Sequence, residues 1–513
     1  MLISLIAKEI ELGQTLISLE FLFFLAAVFI TYYSVARRHQ WQFLLAASFV
    51  FYTLNNRWEF LLLLAGVTGV NFFIGILIQN ASHKFIQRLY LWINIGLNTF
   101  ILLVFKYNHL LGNLFRSYRS DADKINISLL VPLGISYFTF KALSYGVDIY
   151  RAKIKCERNL GKFALFMSFF PEISAGPIDR ARDFLPQTDP PKVLIEANYI
   201  SGMQLMLWGY FKKIVIANNL AVYVNPIYSS PKDYSGIALV IATYFLAFQI
   251  YADFSGYTDI VRGTGRLFGY SIPENFNSPY LSRSISEFWT RWHITLSTWL
   301  RDYLFLPLSF FFSRRIKTSS ICFLNSNIVI YLSSALITFI IAGIWHGSAW
   351  TFIVWGFLHG LFLSLSNATK PIRKIMRKKF PLYQSYPKLV AFGQMVFCFH
   401  LVAFSWIFFR AHSISDAMYI IRNFAPKNIA SSMRELFNPI GQLGLEGSKY
   451  GFFISILAII FLILIEIRQR SGEIPEFFIS KKRLIRWTVY YILFLSIFLF
   501  GEFSMKEFIY IQF

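Results

Sequence analysis

The sequence predicts an all-α, polytopic integral membrane protein. Three features carry that prediction: overall apolarity, long apolar runs that recur along the chain, and basic residues gathered in short connections. Of the 513 residues, 56% are hydrophobic and 15% charged, 57 being phenylalanine. The mean hydropathy is +0.51, well above that of a water-soluble domain. A helix crossing the hydrocarbon core needs about 20 mostly apolar residues. Runs approaching that length occur at Phe21–Ala36, Phe60–Leu77, Leu89–Phe105, Ile328–Trp345 and Tyr450–Ile467. With shorter segments they give roughly a dozen spans or part-spans. The first run lacks the basic n-region and small-residue cleavage site of a secretory signal and is read as a retained anchor.

The net charge of +22 fits the same picture. Lys and Arg crowd Lys370–Phe380 and Arg468–Arg486, as the positive-inside rule expects of cytoplasmic segments. Membrane lipid, not nucleic acid, is therefore the expected surrounding partner. Cys156, Cys322 and Cys398 are isolated, so neither a disulfide framework nor a Cys-based metal site is legible, and no metal is expected.

In chain order, Glu20–Phe105 reads as conventional spans forming a scaffold, and Lys106–Ser128 as a long polar connection. VPLGISYFTFKALSYGVDIY follows, its small and hydroxyl-bearing residues suited to close helix packing. FMSFFPEISAGPIDRARDFLPQ then sets Pro171, Glu172, Gly176, Pro177 and Asp179 in or beside an apolar run. A regular lipid-facing helix there would leave backbone groups unsatisfied, so a broken or re-entrant segment lining a cavity is predicted. In YADFSGYTDIVRGTGRLFGY, Asp253, Ser255, Tyr257 and Asp259 follow an apolar helix. Its glycines have the wrong spacing for a dinucleotide loop and are expected to permit a tight bend. Two prolines in SIPENFNSPY predict irregular backbone. Ser284 and Glu287 form a capping box opening a helix that carries His293 and is ended or kinked by Pro307.

The chemistry is sought in the ionisable groups at membrane depth. Inserting Arg, Lys or Asp there costs roughly 2.5–3.5 kcal/mol, so such groups usually serve a cavity, partner or reaction. His293, in FWTRWHITLSTWLRDYLFLPL, and His346, in IAGIWHGSAWTFIVWGFLHG, lie in aromatic, apolar segments of this kind. Imidazole is easier to bury and moves protons in either direction near neutral pH. The plain alternative is a core histidine bonded to a neighbouring helix. On one continuous helix His293, Ser297 and Arg301 would share a polar face, with Trp289, Trp292 and Trp299 on an adjoining one. That stripe is expected to line an active-site tunnel, in preference to forming an interfacial belt. His346 is flanked by Trp345 and by Gly347, whose missing bulk lets a substrate or another helix approach. His359 is read as a packing residue.

These segments, with LGISYFTFKALSYGVDIYR, GYFKKIVIANNLA and GIWHG, resemble the membrane-bound O-acyltransferase family in its bacterial branch of alginate O-acetyltransferase-like and D-alanyltransferase-like proteins. The resemblance covers roughly residues 130–360. It implies a helical bundle around a central tunnel with re-entrant segments. It also implies three parts: an N-terminal transmembrane scaffold (1–129), a catalytic core (130–366), and C-terminal helices (367–513) ending in an extracytoplasmic aromatic tail. Through GIWHG it implies His346 as the catalytic histidine, and through RWHITLSTWLRDY it implies His293 as the second active-site residue. The terminal MKEFIYIQF resembles an F-x-Y-x-x-F motif through Phe508, Tyr510 and Phe513, its tyrosine relaying the acyl group outward; an aromatic terminus resting at the lipid interface is the alternative. Glu172 departs from the pattern, which leads us to expect a neutral or basic polar residue.

The function so implied is transfer of an acyl group, acetyl by preference, from a cytoplasmic donor across a bacterial inner membrane for O-acylation of a secreted or surface polysaccharide. The donor would be an acyl-CoA or acyl-carrier-protein thioester used as co-substrate, with no tightly bound cofactor. An extracytoplasmic acyltransferase partner would complete delivery. D-alanyl transfer to a cell-wall polymer and a transporter or flippase are the alternatives. A hydroxyl is a weak nucleophile, so acylating it takes a base and an oxyanion donor. His346 is the expected base. His293, a backbone N–H or a tryptophan N–H is expected to hold the acyl carbonyl.

Overall fold

The computed structural model describes residues 16–107, 131–321, 324–425, 448–468 and 482–503. Among them the regular structure is helical apart from a two-residue antiparallel ladder, Ser320–Ile321 against Leu324–Asn325. Among the described residues, eight helices are long and apolar enough to cross a membrane: Glu59–Asn80, Lys84–Lys106, Ile237–Leu267, Ser326–His346, Trp350–Ala368, Pro387–Arg410, Tyr450–Arg468 and Arg483–Phe500. Leu19–Ser34 is a shorter apolar helix. The predicted all-α, multi-pass architecture is therefore present, each of the apolar runs named above falling largely or wholly within one of these helices.

The chain divides into two compact units, one from Met1–Met206 with Tyr257–Pro273, the other from Leu207–Gly256 with Glu274–Met505. In the first, Glu59–Asn80 and Lys84–Lys106 are joined by amides. Asn94 Nδ2 and Asn98 Nδ2 donate to Asn71 Oδ1 at 2.6 and 2.8 Å, and Asn71 Nδ2 donates to Asn98 Oδ1 at 3.1 Å. In hydrocarbon, apolar side chains gain nothing by leaving lipid, so interhelical polar contacts hold helices together. Asn94 and Asn98 are the buried residues of their helix.

The same unit contains the predicted broken segment. Helix Leu160–Ser168 stops, and the next helical turn begins at Ala181. The backbone between them is buried and meets its hydrogen-bonding needs locally, with Ile173 N–H donating to Phe169 O, Gly176 N–H to Glu172 O, and Phe170 N–H to Ser48 Oγ. Glu172, the residue that departs from the expected pattern, is matched by a cation. Lys141 Nζ pairs with Glu172 Oε2, donates to Phe166 O at 3.1 Å and lies over the Phe166 ring. Tyr257 and Ser174 share a hydroxyl–hydroxyl bond beside it.

In the second unit, Ser326–His346 and Trp350–Ala368 cross closely because Gly343 and Gly356 meet there. A Cβ on Gly343 would lie 2.3 Å from Phe352 O, and one on Gly356 would lie 2.2 Å from Phe339 O.

One expectation is corrected in the long helix Ile237–Leu267. Asp253, Ser255, Tyr257 and Asp259 belong to this single helix and do not follow it. Asp253 pairs with Lys213, and Ser255 accepts from Lys212, both lysines lying on the π-helical turn Phe211–Ala217. Satisfying these polar groups lets the helix continue. Gly263 and Gly265 also sit within it, and Gly263 allows close packing against Gly202 O. The bend comes later, at Gly269 with φ +76°.

Candidate active site

His293 occupies a break between two short helices, Ile285–Arg291 and Ile294–Leu300. Ser284 caps the first as predicted, its Oγ accepting from Glu287 N–H at 3.2 Å. That helix ends at Trp292, and His293 takes φ +41°, ψ +56°. A continuous helix through His293 is therefore corrected, and with it the shared polar stripe. Ser297 Oγ turns back to Trp292 O at 2.9 Å, while Arg301 is mostly exposed and pairs with Asp302. Of the three tryptophans, Trp289 and Trp292 share one ring cluster through the stacked Trp355 and Trp406, while Trp299 lies apart on Tyr303. Pro307 does not end the helix: the π turn Arg301–Phe305 leads into Leu306–Arg315, with Pro307 in the first turn of the latter. The left-handed region is costly for a side chain with a Cβ, on the order of 1–3 kcal/mol, and persists where surroundings impose it.

Asn275 imposes it. Its backbone carbonyl accepts from Ile294 N–H at 2.9 Å. Its side-chain Oδ1 accepts from Thr295 N–H at 3.2 Å and Thr295 Oγ1 at 2.9 Å, and lies 3.0 Å from His293 Nδ1. A backbone N–H can only donate, so the atom facing Thr295 is the amide oxygen and His293 Nδ1 must carry the proton. In the neutral ring Nε2 is then the proton-accepting nitrogen. His293 is buried, with Phe254 edge-on at 4.8 Å. In this tautomer it accepts a proton or hydrogen bond through Nε2; it stabilises an oxyanion there only once protonated.

His346 closes the helix Ser326–His346 and is buried among aromatic rings. Trp345 lies at 4.6 Å, Trp355 at 5.0 Å and 87°, and Phe409 at 5.0 Å and 75°. Gly347 leaves room for the Phe352 ring, which a Cβ would approach to 2.4 Å. Trp355 is 2% exposed, and its Nε1–H has no protein acceptor among the described residues. His359, also buried, bridges two helices: its Nδ1 accepts from Trp289 Nε1 at 3.3 Å, so its Nε2–H faces Ser405 Oγ at 2.9 Å. This matches its expected packing role.

Both candidate histidines fall in the second unit, linked through rings. His293 touches Phe276, which packs on Trp292; Trp292 packs on Trp406, Trp406 on Trp355, and Trp355 on His346. Tyr510, with Phe508 and Phe513, lies outside the described residues. Sequence reasoning missed Asn275 and Trp355. The first lies 18 residues before its histidine, and the second has no signal separating it from other tryptophans of apolar helices. Among the described residues no group of three or more His, Cys, Asp or Glu is placed to hold a metal ion.

Comparison with known proteins gives this geometry a context. The membrane-bound O-acyltransferase family matches residues 152–329, which include His293 and stop before His346. The chain is 34% identical over 404 residues to the probable alginate O-acetylase AlgI of Azotobacter vinelandii, covering 77% of this chain and 75% of that one. It is 32% identical over 416 residues to the peptidoglycan O-acetyltransferase of Helicobacter pylori, covering 75% and 73%. To the teichoic acid D-alanyltransferase of Bacillus subtilis it is 30% identical over 286 residues, covering 55% and 69%.

Proposed function

Because the chain belongs to the membrane-bound O-acyltransferase family, we propose that this multi-pass enzyme moves an acetyl group from a cytoplasmic thioester across a bacterial inner membrane to hydroxyls of a secreted or cell-surface polysaccharide. Alginate and peptidoglycan, named for its relatives, define the acceptor class. Acetyl is preferred to D-alanyl because the O-acetylating relatives match three quarters of the chain and the D-alanylating one 55%. The donor is acyl-CoA or an acyl-carrier protein, used as co-substrate without a resident cofactor.

The observation that carries this reading is the pairing of buried His346 with the indole N–H of Trp355, which is in ring contact with it and has no acceptor among the described residues. An acyl transfer needs a base and a donor at one place. His346 takes the proton of the acceptor hydroxyl as its oxygen attacks the thioester carbonyl. The Trp355 N–H receives the developing oxyanion. Collapse breaks the C–S bond, and the leaving thiolate takes the proton back from the imidazolium. His293, neutral with its proton on Nδ1 facing Asn275, accepts through Nε2 and positions a substrate donor group other than the reacting hydroxyl, whose single proton goes to His346.

In this scheme the first acceptor hydroxyl is that of Tyr510 at the outer mouth of a tunnel. An aryl ester, whose leaving phenol has a pKa of about 10, keeps transfer potential for the next step. An extracytoplasmic acyltransferase partner then passes the acetyl group to the polymer.

The test is complementation of a deletion strain with wild type, His346→Ala and Tyr510→Phe at matched expression, followed by assay of base-labile acetate on the purified polymer. Neither variant should restore acetylation. Normal acetylation with His346→Ala would remove it as base, and normal acetylation with Tyr510→Phe would mean direct transfer from the histidine site.

A further inference from the structure

We propose that the helix Lys370–Lys379 and the two membrane helices beside it form a binding site for one anionic phospholipid. Lys370, Arg373, Lys374, Arg377 and Lys378 recur at three- and four-residue spacing and so share one face of this helix. That face lines a cavity of about 630 Å³, completed by Ser284, Ser286, Thr290 and Ser366. Five cations line it with one carboxylate, Glu287, which is already bonded to Arg291 at 2.9 Å and to Arg283 N–H at 2.8 Å. The opposite face carries Ile372 and Ile375, 58% and 54% exposed. This is the pattern of a helix lying in the membrane interface.

A second cavity, of about 720 Å³, shares Ser284, Glu287, Ser366, Arg373 and Arg377 with the first. It extends along the membrane helices Trp350–Ala368 and Pro387–Arg410, where Phe362, Leu365, Phe397 and Leu401 make its wall apolar. Arg373 sits where the cavities meet. Its Nη2 donates to Ser366 O, while its Nε–H is buried and has no protein acceptor among the described residues. A phosphate satisfies that donor, and charge-assisted bonds from guanidinium to phosphate are among the stronger hydrogen bonds. Basic pockets between membrane helices suit anionic headgroups.

The apolar wall decides the occupant. A free nucleotide would answer the cations and leave Phe362, Leu365, Phe397 and Leu401 uncovered. A phospholipid places its phosphate among the cations and lays an acyl chain along those residues.

The test uses the full-length protein in a neutral detergent, titrated with short-chain phosphatidylglycerol, phosphatidylcholine of the same chains, and coenzyme A, with thermal unfolding as the readout. Phosphatidylglycerol should raise Tm saturably and phosphatidylcholine should not, while any shift from coenzyme A, bound as donor product, should be the same in the variants below as in wild type. Arg373→Ala with Arg377→Ala should raise the half-saturating concentration roughly 25-fold, a cation near an anionic lipid contributing about five-fold. If that pair lowers the Tm of the lipid-free protein, the exposed pair Lys374→Gln with Lys378→Gln gives the same reading, with Lys482→Ala as a control that leaves binding unchanged. Equal shifts from the two lipids, unchanged binding by both variant pairs, or a coenzyme A shift that those variants weaken would overturn the proposal.

Discussion

A buried N–H without an acceptor costs about 1–3 kcal/mol, and among the described residues Trp355 Nε1, beside His346, has none. The cost is offset if an oxygen reaches it during the reaction, since a donor already in place needs no reorganisation. Trp355→Phe keeps most of the ring packing and removes the N–H. It should lower kcat by roughly 10²–10³-fold with little change in KM, while Tm stays level or rises because no donor is left unpaired. Steady-state kinetics on the purified variant check this, and an unchanged kcat would reduce Trp355 to a wall. His293 carries a comparable local cost in its left-handed backbone. There the compensation is already visible, in the four contacts that Asn275 makes to residues 293–295.

At the scale of elements, breaks matter as much as helices. The Phe169–Arg180 segment is buried without being helical, and Lys141 ties it to the helix Ile135–Tyr150 through Glu172. Removing one member of a buried ion pair strands the other, at a cost of about 3–5 kcal/mol, whereas replacing both with neutral residues of similar volume is often tolerated. Lys141→Met should therefore lower the thermal stability and yield of the protein sharply. Adding Glu172→Gln should restore most of the loss. Fluorescence-detected size-exclusion melting of the three proteins decides it, and a double variant no better than the single would mean the pair is not the segment's anchor. The break at His293 has a different origin, being held by hydrogen bonds from Asn275.

For the whole molecule, the uneven basic charge predicts orientation. Lys370–Lys379 and His412 flank the helix Pro387–Arg410, whose 24 residues span about 36 Å. A cysteine introduced at Lys374 should escape a membrane-impermeant maleimide in intact cells, and one at His412 should react. The reverse pattern would overturn the inside assignment and the outward relay built on it. The helical, multi-pass class was legible in full, because apolarity over about 20 residues is a one-dimensional signal. The broken Pro171–Asp179 segment was legible too, from prolines and charges that a lipid-facing helix cannot accommodate. His293 and His346 stood out as ionisable groups in apolar surroundings. The backbone around His293 did not, since its helix break depends on Asn275, a partner that no helical periodicity connects to it. The polar half of Ile237–Leu267 was misread as a separate segment for the same reason: Lys212 and Lys213, which satisfy Ser255 and Asp253, lie about 40 residues earlier.

The Lys141–Glu172 contact also bears on how the chain is made. The two residues are 31 positions apart, so at 5–20 residues per second Lys141 leaves the ribosome about 2–6 s before its counter-ion. Throughout that interval an ammonium group destined for the interior has no mate. It must wait in the insertion channel or near the headgroups, and the Ile135–Tyr150 helix can settle only after the following segment arrives. Membrane integration of the Ile135–Tyr150 helix thus waits on the segment that follows it, the pair closing only once both have emerged.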